Sequence, residues 1–476
     1  MWGHQVGRIR WVGLAVAFVL TAVGPTMQGT SGAATTTGLR VSAAKITLNG
    51  LPFVPRGFTM IGALAGPLCT NSDTAAAQDH FSAAELATLA GTWHANTVRF
   101  QVSQNALSSD DPALVTQYLA TVAQAVGFAR AAGLVVILSM QDQPLSCGPG
   151  HDFPSVETQH AWDALAPVYS GAPDVMYELF NEPHDVNTVN PHPLLPLSAA
   201  SWAEWLNGGS SPDPNFPSTA VGHQQLLQHV RSLGVHNVIL ADGLNQAGVL
   251  PGQNQHAPLL RDTMKPANLA YSVHPYYYEA GLDDWEFRFG ALAASVPVVA
   301  TEWNYWVSDC GTTKETMAPG FLTYLSDRGI GVLGMGADLK VGSTLMADWT
   351  YAPSLCGAGP GGPGAAFRNY LAATQTPRPT TLTLQATPSV VGAPIPVTGT
   401  LLINGAAPSI GMVLSVTRKV GTVTTKLPSL VTGAGGSFAF DGGAATAPGK
   451  VKLTVKYAGN GVTRAASATV TVLVTG

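Results

Sequence analysis

Between residues 37 and 372 the chain alternates short apolar runs with longer stretches whose apolar residues recur at helical spacing. Eight of the runs read as strands: Pro55–Met60, Asn96–Val102, Leu134–Met140, Val175–Phe180, Asn237–Asp242, Leu269–Tyr276, Pro297–Trp303 and Gly331–Met335. Several are almost continuous in Val, Ile and Leu, the pattern of strands buried on both faces of a parallel sheet. The stretches between them carry helix signals. Asp111-Pro112 opens one in which Leu114, Tyr118, Leu119, Val122 and Val126 share a face, and Gly133 ends it. Gln224–Leu233 is another, closed by Gly234. Eight strand-helix units in this length predict an α/β fold, the (β/α)8 TIM barrel. A doubly wound sheet competes, but no G-x-G-x-x-G or G-K-[ST] loop follows any of the runs. Lys45–Phe53, with Asn49-Gly50 at its centre, reads as a hairpin plugging the bottom of the barrel.

From Thr380 onward the period shortens to two. Alternating runs such as Thr381–Gln385, Val413–Arg418 and Val451–Tyr457 are separated by the turn pairs Asn404-Gly405, Gly435-Gly436 and Asn460-Gly461. About seven strands in about 97 residues predict a small all-β immunoglobulin-like sandwich over 380–476, joined to the barrel domain (37–372) by a linker at 373–379. The sandwich has no Cys or Trp, and its aromatics are Phe438, Phe440 and Tyr457. Flat crystalline polysaccharide is gripped by exposed aromatic faces, so this domain reads as a spacer.

Composition narrows the choice of partner. With 46% hydrophobic residues the chain can build a large core, and 11% charged residues with a net charge of -5 leave few charges to form a patch of either sign. Nucleic-acid binding and polybasic membrane binding are therefore disfavoured, and an uncharged polar surface suits a neutral partner. Trp11–Gly24 is an uncharged apolar stretch after Arg8 and Arg10, too short to span a bilayer, and Ser31 and Ala33 follow where a signal peptidase cuts. Residues 1–33 thus read as a signal peptide, and the mature protein as secreted, extracellular and without a membrane span. Export makes disulfides the default for Cys69, Cys147, Cys310 and Cys356, with three pairings open. The absence of C-x-x-C argues against zinc or redox chemistry.

Chemistry in a barrel sits where the strands end at their C-terminal face. Strand four runs out through Tyr177-Glu178-Leu179-Phe180-Asn181-Glu182-Pro183, and strand seven through Val299-Ala300-Thr301-Glu302-Trp303. Either acid alone is compatible with an ion-paired core residue. Together they stand on opposite sides of a barrel mouth, which is the arrangement glycoside hydrolysis needs: one carboxylic acid to protonate the leaving oxygen and one carboxylate to attack the anomeric carbon.

With these motifs in order, residues 37–372 resemble glycoside hydrolase family 5, the cellulase-like family of clan A retaining glycosidases. The resemblance rests on Pro55-Arg56-Gly57, Asn96-Thr97-Val98-Arg99-Phe100, Asn181-Glu182-Pro183, His274-Pro275-Tyr276 and Thr301-Glu302-Trp303. It implies a retaining hydrolase with Glu182 as acid/base and Glu302 as nucleophile, Asn181 binding the sugar 2-hydroxyl, Arg99 and Tyr276 orienting Glu302, and His274 lining the catalytic subsite. The expected substrate is a neutral β-1,4-linked polysaccharide or oligosaccharide, glucan or mannan, cleaved by double displacement without cofactor or metal, and the protein is expected to be a monomer.

The residue types agree with those roles. Arg99 inside a barrel is costly without a carboxylate partner, and His274 and Tyr276, two apart on a strand, point the same way. Two positions depart from the family pattern. Strand three ends Ser139-Met140-Gln141-Asp142-Gln143 instead of in a histidine, so Gln141 or Gln143 is expected to take its place. Strand eight reads Leu333-Gly334-Met335-Gly336-Ala337-Asp338 without the usual tryptophan, so Trp303 or Trp349 is expected to supply the sugar floor. The four cysteines fall in loops on the catalytic face, which pairs Cys310 with Cys356 and Cys69 with Cys147. Tyr277, Tyr278, Trp285, Tyr305 and Trp306 are loop aromatics able to stack on sugar, with core packing an even alternative for Trp285. His184, His192, His151 and Asp152 lack metal-ligand spacing and read as loop residues. A carbohydrate-binding or cell-surface protein on an inactive barrel is the alternative, favoured by the two departures and opposed by retention of both glutamates.

Overall fold

The computed structural model describes residues 37–66, 72–142, 151–184, 195–210, 219–339 and 345–476. Eight parallel strands close into a barrel: β1 (Arg56–Met60), β2 (Thr97–Ser103), β3 (Val135–Gln141), β4 (Val175–Glu178), β5 (Ile239–Asp242), β6 (Leu269–Val273), β7 (Val298–Trp303) and β8 (Gly331–Met335). Each pairs with the next, and β8 returns to β1. Two strands stop short of the expectation. β4 ends at Glu178, although Leu179 N–H still reaches Leu240 O of β5 at 3.0 Å and Asn181 N–H reaches Met140 O of β3 at 2.9 Å. β6 ends at Val273, where His274 N–H instead meets Ala247 O at 2.8 Å.

Alternation along the strands sorts two cores. Val98, Phe100 and Val102 of β2 and Val136, Leu138 and Met140 of β3 face the surrounding helices. The opposite faces line the lumen, whose lower layer is Val135, Ile137, Met176, Val238, Leu240, Ala270, Val299 and Leu333. A hairpin of Leu39–Ser42 and Lys45–Leu48 closes this layer, burying Leu39 and Ile46 in it with Val41, Leu48 and Phe53 packed alongside. Full burial of such side chains is worth about 1.5–3 kcal/mol each. Higher on the same faces the lumen turns polar, through Arg99 and Gln101 on β2 and Ser139 and Gln141 on β3.

Helix ends follow their sequence signals. In α1 (Pro112–Ala131) the Asp111 side chain accepts from Ala113 N–H at 2.9 Å, and Gly133 turns the chain at φ 74°. α2 (His223–Ser232), α3 (Thr313–Arg328) and α4 (Pro363–Ala373) lie outside the sheet in the same way. Among the described residues no helix is long and apolar enough to cross a membrane.

The C-terminal region holds eight strands, one only two residues long: β9 (Thr380–Ala386), β10 (Ser389–Val390), β11 (Pro396–Ile403), β12 (Val413–Val420), β13 (Val423–Val431), β14 (Ser437–Asp441), β15 (Gly449–Tyr457) and β16 (Ala466–Thr475). They form a sheet of order β9-β11-β14 and a second of order β10-β16-β15-β12-β13, with apolar faces packed between. This sandwich is tied to the lower end of the barrel at Asp327, near the end of α3. The buried Asp327 carboxylate accepts from Arg378 Nη2 at 2.6 Å and from the Ser409 N–H and hydroxyl at 2.8 and 2.7 Å. Asn460 Nδ2 donates to the carbonyls of Ser326 and Asp327 at 2.9 and 3.0 Å.

Candidate active site

Glu302, near the end of β7, points into the upper lumen and is 3% exposed. One of its oxygens accepts from Arg99 Nη1 at 2.8 Å and Gln101 Nε2 at 2.9 Å, and the other from the Tyr276 hydroxyl at 2.7 Å. All three partners are donors, the complement an ionised carboxylate requires. Burial, reinforced by the charges of Glu302 and Glu182, pushes the Tyr276 phenol well above its ordinary range, so it remains a donor.

Glu182 has a different setting. It sits past the end of β4 with φ at 54°, a left-handed backbone that is costly for a residue with a side chain. Both sides of this turn are held: Glu182 N–H donates to Asp242 Oδ2 at 3.0 Å, and its carbonyl lies 3.0 Å from His184 Nδ1, whose Nε2 meets Asp152 at 2.9 Å. The carboxyl lies 2.9 Å from His274 Nδ1 and its side chain keeps 17% exposure against 4% for Glu302. One oxygen of Glu182, one of Glu302 and a His274 ring nitrogen lie within 4.8 Å of one another. The two acids therefore face each other at short range.

Beneath them is an ionic layer. Arg99, fully buried, clamps Glu178 with Nε at 2.6 Å and Nη2 at 3.1 Å, and Nη2 also reaches Ser139 at 2.9 Å and Asn181 Oδ1 at 2.5 Å. Burial works against both charges, yet each partner offsets it: Glu178 is held down at about 2, and the guanidinium is raised. Ser272 donates to Glu178 at 3.0 Å and Thr301 lies 3.2 Å away. Asp242 is also fully buried and hydrogen-bonds with Glu178, and both burial and the Glu178 charge push it well above the usual carboxylate range. Its Oδ1 meets no other partner among the described residues, which leaves room for a carboxyl proton. Burial lowers the His274 pKa, but Glu302, Glu182 and Asp242 outweigh that and raise it to about 9, while Nε2 bonds Thr301 Oγ1 at 3.0 Å.

The expected residues thus divide. Glu182, Glu302, Arg99, Asn181, His274 and Tyr276 converge in one cluster. The Asn181 oxygen is taken by Arg99, which leaves its amide N–H groups without a protein partner among the described residues. Gln141 is buried at the end of β3 on the Ser139 face. Trp303 is not at the mouth: it alternates with Glu302 on β7, points outward, is 0% exposed and packs against Tyr278, Phe321 and Phe367. Trp349 lies in the loop after β8, stacked on His80 at 4.1 Å. Of the loop aromatics Tyr278, Trp285 and Tyr305 are core, whereas Tyr277 is exposed and exposed Trp306 stacks on Tyr276 at 6.0 Å. His274 and Tyr276 reach the site from a turn beyond β6, since Tyr276 N–H bonds His274 O at 2.9 Å. Cys310 and Cys356 are disulfide-bonded with Cα atoms 5.6 Å apart, bracing the loop that carries Trp306. Cys69, Cys147, His192 and Gln143 lie outside the described residues.

Glu178, Gln101, Asp242 and His184 were not anticipated as parts of this cluster. Two signals were present: Gln101 shares the face of Arg99 by period two, and Glu178 and Asp242 are charges in otherwise apolar strands.

A closed parallel barrel whose mouth opposes two glutamates fits a glycoside hydrolase. The chain belongs to that class through the cellulase family, glycosyl hydrolase family 5, whose model matches residues 65–337, more than half of its length. Among solved structures it is similar to the cellulase Cel5C_n, at 16% identity and a TM-score of 0.50 over 70% of this chain and 92% of that one. It is also similar to Thermotoga maritima Cel5A in complex with mannotriose, at 14% identity and a TM-score of 0.47 over 67% of this chain and 97% of that one. At 16% identity the likeness to Cel5C_n is one of fold. No curated protein matches the chain by sequence.

Proposed function

We propose that the protein is a secreted retaining hydrolase of β-1,4-linked glucan or mannan, with Glu302 as nucleophile and Glu182 as acid/base. The observation that carries this reading is the inequality of two carboxyls within 4.8 Å of each other. Retaining enzymes hold their carboxyls about 5–5.5 Å apart, whereas inverting enzymes leave about 6.5–9.5 Å for a water. Glu302, supplied with three donors, attacks the anomeric carbon and forms the glycosyl-enzyme ester. Glu182, more exposed and sharing a proton with His274, protonates the leaving oxygen and then accepts a proton from the water that cleaves the ester. Asn181 offers its amide N–H groups to the sugar 2-hydroxyl, and exposed Trp306 beside Tyr276 offers a stacking face. The family description favours glucan, and the N-terminal pattern of residues 1–33 supports export.

Reducing-end release from soluble β-1,4-glucan and β-1,4-mannan tests the reading. The wild type is expected to hydrolyse at least one, and Glu302→Gln to bind it without hydrolysis. Binding by both proteins with hydrolysis by neither would favour the second reading, an inactive carbohydrate-binding barrel, for which the missing strand-three histidine and strand-eight tryptophan speak.

A further inference from the structure

Charge is divided very unevenly along this chain. Residues 37–372 carry 13 Lys and Arg against 27 Asp and Glu, whereas residues 373–476 carry eight against one, Asp441. Averaged composition concealed this, and the expectation of too few charges for a patch of either sign does not hold for the sandwich.

The lysines gather on one surface. In the five-stranded sheet Leu414, Val416, Val451, Leu453, Val455 and Val472 point into the sandwich. Alternation therefore sends Lys419 of β12 and Lys450, Lys452 and Lys456 of β15 outward, all exposed, with Lys426 of β13 paired to Thr417 on the same side. None of the five forms an ion pair among the described residues. Lysines commonly protect sheet edges, but β12 and β15 are interior strands of this sheet, so edge protection does not explain four of them. Lys419 and Lys452 are moreover direct cross-strand partners, a like-charge pairing that costs stability.

The spaces between the lysines are filled by hydroxyls. Thr417, Thr454 and Thr469 form one row across three strands, and Ser415 and Ser467 flank Lys456 in the next. The outward positions of β12, β15 and β16 contain neither arginine nor aromatic residue. Single-stranded nucleic acid is favoured by base-stacking rings, and phosphate by bidentate guanidinium groups, and this face offers neither. Ammonium groups alternating with hydroxyls complement a chain that alternates carboxylates with hydroxyls.

We propose that this lysine face docks an acidic polysaccharide, one bearing uronate carboxylates, and anchors the acidic barrel beside a neutral glycan in a mixed matrix. Charge complementarity identifies the occupant, and the proposal is independent of which neutral glycan the barrel cleaves.

Affinity electrophoresis of the full chain in polygalacturonate, fully methyl-esterified polygalacturonate and polyphosphate, with flotation on phosphatidylglycerol vesicles, tests it. Retention is expected in polygalacturonate, absent in the ester, and weakened about tenfold or more when salt shortens the screening length from about 10 Å to about 3 Å. Combined Lys419→Glu, Lys452→Glu and Lys456→Glu should weaken retention at least about tenfold, and the same three positions changed to Gln by less, with a melting temperature no lower than that of wild type and unchanged hydrolysis of soluble neutral substrate. Equal retention of wild type and both variants, equal retention in the ester, or stronger binding to polyphosphate or vesicles would overturn the proposal. So would a dimer, formed without polymer and abolished by the substitutions, which would make the acidic barrel of a second copy the occupant.

Discussion

The two halves of the barrel lumen are built from the same strands and solve opposite problems. On β3, Val135 and Ile137 point into an apolar layer sealed by the hairpin, and Ser139 and Gln141, on the same face a few ångströms higher, join a layer of buried charge. The lower half gains from burial alone. In the upper half every charge taken from water must be matched, and the matching of Arg99 by Glu178 and Glu302 is what makes burial tolerable. Stability is concentrated in one half and chemistry in the other, so substitutions should separate the two.

The largest effect expected is on catalysis. Glu302→Gln should lower hydrolysis by on the order of 10⁴-fold while leaving the melting temperature near that of wild type, because Arg99 keeps Glu178 as its partner. A comparable loss of melting temperature would break the separation. Arg99→Met comes next, leaving two carboxylates buried without their cation; equilibrium denaturation should show a loss of about 3–5 kcal/mol together with loss of activity. Ile137→Ala, in the apolar half, should cost about 2–5 kcal/mol by the same measurement while activity per folded molecule stays at the wild-type level.

The His274 pKa, raised above its ordinary value of 6.5 to about 9, yields a pH effect of definite sign. A group with a raised folded-state pKa contributes stability that is complete below the unfolded value and disappears as pH climbs through the folded one. Wild type should thus lose melting temperature between about pH 6.5 and pH 9 to a greater extent than His274→Gln, with both curves recorded across that window. Equal slopes would show that the carboxylates do not hold the extra proton. The smallest effect is expected for Asp242→Asn. An amide reproduces a neutral carboxyl that donates to Glu178 and accepts from Glu182 N–H, so stability should change by less than about 1 kcal/mol. A larger loss would mean that Asp242 is ionised.

Much of this separation was legible in the residue pattern. Eight strand-length apolar runs, with glutamates at the ends of two, were enough for the barrel and the acidic pair, and the resemblance to glycoside hydrolase family 5 added Arg99, Asn181, His274 and Tyr276. What periodicity could not reveal was the point at which a strand leaves its ladder. The turn at Glu182 depends on a hydrogen bond donated to Asp242, which is remote in sequence, and on His184, which Asp152 holds in place. Trp303 was misread for the opposite reason: its neighbour Glu302 faces the lumen, and strict alternation sends Trp303 outward into the helix layer. Glu178 was concealed because a buried charge at a strand end looks like a catalytic candidate or an ion-paired structural one, and only its contact with Arg99 distinguishes them. The sandwich, read as a spacer, is tied to the barrel through Asp327, a contact that the residue pattern does not show.

The stereochemistry of the first product tests the division of roles between Glu302 and Glu182 most directly. Proton NMR during hydrolysis of a soluble β-linked oligosaccharide should show the β-anomer first, with the α-anomer appearing only as mutarotation proceeds. Initial appearance of the α-anomer would mean that water, and not Glu302, attacks the sugar, and would contradict the double-displacement mechanism.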